Sequence, residues 1–194
     1  MNYIKGLVAA AVVAAISFTS CSTNSKETDS NKVAEEANKD KFNSAENEND
    51  AKFVAETVAG NYAEIQLAQL AIQKSTNTMV KEVAGSLEKE HNQLLKELQS
   101  FADKKAISVP VEPQESARKT MEKLTEETDT KVFNKDWCKE MADQHENAIK
   151  EFESRFEKTE DPDLKNWISE TLPHLRMHLD QVKACDENIR QENK

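Results

Sequence analysis

From Asn49 onward, large apolar residues recur at alternating spacings of four and three, the pattern of helices packed along a common seam. Four long helices follow from it. The first spans about Asp50 to Lys74, with an apolar line through Val54, Val58, Asn61, Ile65, Ala68 and Ile72. The second follows a break at Ser75–Thr78 and runs to about Lys104, its seam passing through Leu87, His91, Leu94 and Leu98. The third covers about Val132 to Glu157 and carries Cys138, Met141, His145, Ala148 and Phe152 inward. The fourth opens at Asp161-Pro162, an N-cap followed by a proline in the first turn. Its seam is Leu164, Ile168, Thr171, Leu175, His178, Val182, Cys185 and Ile189.

Loop lengths decide how the helices connect. The first and second are joined by about four residues, as are the third and fourth, so each pair forms an antiparallel hairpin. Residues 105–130 link the hairpins. They hold an extended Val109-Pro110-Val111-Glu112-Pro113 and a short helix from about Gln114 to Glu127. A segment of this length can cross a helix about 40 Å long. The predicted fold class is all-α: a ferritin-like four-helix bundle, up-down-down-up, with a long crossover carrying a short extra helix.

The N-terminal part breaks this pattern. Residues 1–20 read as a signal peptide: Lys5 in a short leading region, an apolar run from Gly6 to Ile16, then Phe18-Thr19-Ser20-Cys21. The run is too short to span a bilayer as a stable anchor. A small residue before Cys21 resembles a bacterial lipoprotein signal, in which that cysteine is lipidated and becomes the mature N-terminus. Ser22 in place of an aspartate favours outer-membrane attachment. Residues 21–48 then read as a lipidated Cys and disordered tether, too poor in large apolar side chains to offset ordering entropy. The bundle domain is expected over 49–192.

Composition narrows the function. The chain of 194 residues holds three Gly and four Pro, too few for the turns of a sandwich or barrel. Its net charge of −10 argues against a nucleic-acid partner, which would need a basic face. No phosphate loop, dinucleotide fingerprint or nucleophile–base pair is present. The partner expected from the address is the membrane, through the N-terminal lipid; no protein partner is indicated.

One constellation stands out. Glu64, His91, His145 and His178 lie on or beside the seams of four different helices, each near its helix midpoint, so they should meet at one level. Four polar side chains in a core layer are costly unless they satisfy one another or bind something. Two readings follow. One is a hydrogen-bonded layer fixing register in a non-enzymatic structural or interaction module. The other is a three-His, one-Glu site for one transition metal ion, zinc, copper or iron, with possible redox use. Glu88 and His91 have the ligand spacing of di-iron bundles, but Ala142, Leu175 and Thr171 occupy the places where a second such pair would need its glutamate.

The cysteines add a geometric expectation. Residues facing each other across an antiparallel hairpin share one index sum, and Cys138 with Cys185 has the same sum as His145 with His178. If the histidines face each other, so do the cysteines, one heptad away, as a candidate disulfide.

Three motif groups in order complete the picture: Ala63-Glu64-Ile65-Gln66-Leu67-Ala68, then Leu87-Glu88-Lys89-Glu90-His91, then Met141-Ala142-Asp143-Gln144-His145 followed by Thr171-Leu172-Pro173-His174-Leu175. Their order and spacing resemble the bacterial domain-of-unknown-function family 4142, ferritin-like helical proteins of the cell envelope, over about residues 50–185. The resemblance implies a helical fold and an envelope address, and carries no established activity.

Overall fold

A computed structural model describes residues 29–192. Among them lie six helices and no strand: α1 Ser30–Lys41, α2 Ala45–Lys74, α3 Thr78–Lys104, α4 Glu115–Glu126, α5 Thr130–Lys158 and α6 Pro162–Glu192. The signal region 1–20 and Cys21 lie outside the described residues.

The helix ends follow local chemistry. Asn77 accepts the Val80 N–H at 3.1 Å to start α3, and Asp161 accepts those of Asp163 and Leu164 at 2.9 and 3.3 Å to start α6. Caps of this kind contribute about 1 kcal/mol each. α6 runs through Pro173, which has no N–H to offer the Ser169 carbonyl.

α2 packs on α3 and α5 on α6 as the two expected hairpins. Lys74, ending α2, donates to the Leu124 carbonyl in α4 at 2.8 Å and stands 5.2 Å over the Phe133 ring at the start of α5. At the opposite end Thr159, just past α5, donates to Asp50 in α2 at 2.7 Å. α5 therefore runs antiparallel to α2. Contacts of Lys105 with Asp161 (2.7 Å) and Asn77 with Glu192 (3.0 Å) set α6 antiparallel to α3. The topology is up-down-down-up, with α4 in the crossover.

The apolar core falls into two clusters. One holds Leu67, Leu87, Phe133, Trp137, Met141 and Ile189; the other holds Phe53, Val58, Leu98, Phe152, Leu164 and Ile168. Between them lies a layer of polar side chains.

The structure corrects the expected tether from residue 30 onward. Residues 30–41 form α1, and α2 begins at Ala45 rather than near Asp50. Composition hid α1 because its docking is polar. Asn38 is buried, donating to the Ser108 carbonyl at 2.8 Å and accepting the Ser108 N–H at 2.7 Å. Lys41 donates to the Ala106 carbonyl at 3.1 Å, and Ser30 and Asn31 bond Glu112 and the Pro113 carbonyl. The crossover thus supplies the partners that α1 lacks by itself. Asn38→Ala leaves both Ser108 backbone groups unpaired and should cost about 2 kcal/mol of docking. Amide exchange across α1 should accelerate while that of α3 and α5 stays unchanged; unchanged protection of α1 would refute this anchor.

Candidate metal centre

The four seam residues meet as their midpoint positions predict. Glu64 on α2, His91 on α3, His145 on α5 and His178 on α6 are all buried, and the three imidazole centroids lie 5.1–5.5 Å apart. What the seams do not reveal is which ring nitrogen each histidine turns inward.

Each imidazole has one nitrogen engaged by an acceptor. His91 Nδ1 lies 3.0 Å from Asn61 Oδ1, and the Asn61 amide nitrogen donates to the Thr57 carbonyl at 2.9 Å, which aims its oxygen at the ring. His145 Nδ1 donates to the Met141 carbonyl at 2.8 Å. His178 Nε2 donates to Glu90 Oε2 at 2.8 Å. A neutral imidazole carries one N–H and one lone pair, so these partners fix the tautomers. In the neutral rings the lone pairs would fall on His91 Nε2, His145 Nε2 and His178 Nδ1.

One nitrogen from each ring lies within 4.8 Å of one from each of the others, and His91 Nε2, His145 Nε2 and His178 Nδ1 have no aligned hydrogen-bond partner. Glu64 Oε2 sits among them, 2.7 Å from His91 Nε2 and 3.4 Å from His145 Nε2, also without hydrogen-bond alignment. Three imidazoles and a carboxylate packed in a dry core are costly unless protons or a cation are shared among them. A divalent cation among the three imidazoles, with the Glu64 carboxylate beside two of them, would serve that purpose. The acceptors behind the rings, Asn61, the Met141 carbonyl and Glu90, are the kind of group that orients metal-bound imidazoles.

The electrostatics favour the ligating forms. Burial alone would raise the Glu64 carboxyl, but positive charge on the His145 and His91 rings outweighs it and holds the pKa at about 2, so in the metal-free protein Glu64 is a carboxylate paired with those rings, and a metal would take the place of their inward protons. Burial, with the neighbouring His91 charge, lowers His178 to about 4 against the pull of Glu90, so its imidazole is neutral near pH 7.

Asn61 and Glu90 are functional residues that the seam pattern alone does not assign. Asn61 left a signal, as a polar interruption of the α2 seam one turn before Glu64. Glu90 was visible beside His91 but serves His178, across the bundle. Glu88, which shares the di-iron spacing with His91, instead accepts a bond from Gln69 at 2.8 Å away from the layer. His174 is exposed, 3.6 Å from Glu90 Oε2, and is not one of the converging rings.

Cys138 and Cys185 face each other as the shared index sum requires. Both are buried free thiols with Sγ atoms 3.2 Å apart, so the candidate disulfide is not formed in this structure. The Cys138 thiol donates to Cys185, and that bond together with burial pushes it well above its ordinary pKa. One heptad separates the pair from the histidines, about 10 Å along the axis, too far to share a metal.

An all-α bundle built round a buried layer of three histidines and a glutamate is thus the class of protein defined by fold and site. The chain matches the family model described as Domain of unknown function (DUF4142) over residues 33–185 and belongs to that family. No curated protein and no solved structure matches it.

Proposed function

We propose that this protein is a lipid-anchored envelope protein that holds one transition metal ion in its bundle core, with Glu64, His91, His145 and His178 as ligands. The observation that carries this reading is the convergence of one nitrogen from each of three buried imidazoles within 4.8 Å, with the Glu64 carboxylate 2.7 and 3.4 Å from two of the rings and each ring's other nitrogen occupied. Imidazole and carboxylate donors suit zinc, copper or iron. Protein purified from the envelope without chelator should contain about one equivalent of metal, and His91→Leu, His145→Leu and His178→Leu should each lose it. Equal metal content in wild type and all three variants would overturn the reading.

The address rests on the signal-like residues 1–20 and Cys21. Among the described residues no helix is long and apolar enough to cross a membrane. With Cys21 as the anchor, Cys21→Ala should release the protein into the soluble fraction; full retention on membranes would refute the anchor. In an oxidising envelope a thiol–disulfide oxidant would take two electrons from Cys138 and Cys185, releasing two protons and leaving one disulfide. Thiol counting on denatured, unreduced protein should then find neither thiol free, and two free thiols would end that expectation.

A further inference from the structure

A cleft of about 400 Å³ lies between α2, α4 and α5, with α3 and α6 closing its inner side. Its innermost lining includes Glu64 and His91, which are 7% and 2% exposed. Both bring to it an atom with no aligned partner, Glu64 Oε2 and His91 Nε2. The outer lining includes Glu56, Glu140 and Glu151, and among the described residues no Lys or Arg lines the cleft. Lys52, 3.9 Å from Glu56, stays outside it. Glu56 and Glu151 line the same opening, and burial with the Glu151 carboxylate pushes Glu56 above the ordinary carboxylate range against the pull of Lys52. α4 contributes only small uncharged side chains, Ser116, Ala117 and Thr120, so the carboxylates set the sign of the field.

A concave, acid-lined surface with low-dielectric walls concentrates cations and repels anions. A cation drawn in would lose water stepwise to the outer carboxylates and end beside two unpartnered buried ligand atoms. The opposite face offers a poorer path. There a cleft of about 200 Å³ between α3 and α6 is lined by Glu90, Glu97, Glu170 and His174, and by none of the four converging ligands.

We infer that the cleft edged by Glu56, Glu140 and Glu151 is the route by which a hydrated divalent cation enters and leaves the Glu64–histidine centre. This rests on the metal-binding reading above and adds to it: the ion is exchangeable, loaded into the folded bundle rather than locked in during folding. None of the three carboxylates is a ligand, so removing their charge changes the rate of loading and leaves the coordination sphere intact.

The probe is Co²⁺, whose visible absorption reports its coordination, added to the full-length metal-free protein in a stopped-flow instrument. The Glu56→Gln/Glu140→Gln/Glu151→Gln variant should load about tenfold more slowly than wild type at low salt, with a flattened salt dependence and the same final spectrum. A control, Glu97→Gln/Glu170→Gln, should load at the wild-type rate. Unchanged loading in the triple variant overturns the route, as does slowing confined to the control. Failure of wild type to bind Co²⁺ overturns the metal-binding reading itself, and the route with it, so the two failures are told apart in one experiment.

Discussion

Zinc should stabilise the bundle by about 4 kcal/mol when free metal stands a thousandfold above its dissociation constant, through its preference for the folded state. For a chain of this size that is a rise of about 10 °C in the thermal midpoint. The apolar clusters on either side of the histidine layer cannot supply this increment, since metal does not touch them. His145→Leu separates the two contributions. Leucine has similar volume, and the Met141 carbonyl loses only a second, side-chain partner. Without metal the variant should be less stable than wild type near pH 7 by about 3 kcal/mol, because removing one partner leaves the buried Glu64 carboxylate with less compensation. With zinc it should gain nothing. Urea melts in chelator and in excess zinc make the comparison, and an equal zinc increment in both proteins would remove His145 from the site.

The contrast between helices and partners explains what was legible in the chain. The seams of α2, α3, α5 and α6 are long, and period alone sets which face is buried. A short loop forces an antiparallel neighbour, so equal index sums brought His145 to His178 and Cys138 to Cys185 before any coordinates. Partner choice is different, because it depends on which way a side chain turns once its helix has docked. Glu90 pairs with His178 on another helix, while Glu88, with the more suggestive spacing, turns away. Asp50 and Arg155, 2.9 Å apart, join the ends of α2 and α5, and the seam pattern assigns a role to neither. α1 escaped notice for the same reason. Its stability comes from Ser108 and Glu112, more than sixty residues away, rather than from an apolar stripe.

Acid should destabilise the metal-free protein in two successive steps of the same sign. The first belongs to His178, whose pKa falls from 6.5 unfolded to about 4 folded, chiefly because burial disfavours the charged ring. Between those values the unfolded chain holds a proton that the folded one lacks, so stability is full above pH 6.5 and drains away as pH falls to 4. At about 1.4 kcal/mol per unit the loss is about 3 kcal/mol. The second belongs to Glu64, with a pKa lowered from 4.5 to about 2 despite its burial by the His145 and His91 imidazoles. Its stabilisation is present above pH 4.5 and lost as pH falls through 2, because the unfolded carboxylate takes up its proton first. His178→Leu removes the first step and leaves the second. Urea titrations in chelator from pH 8 to pH 3 should show wild type losing stability from about pH 6.5 downward while the variant stays level to about pH 4.5. A wild-type profile flat between pH 7 and pH 5 would show that the ring is not held neutral, and that its inward nitrogen is not kept free for a metal.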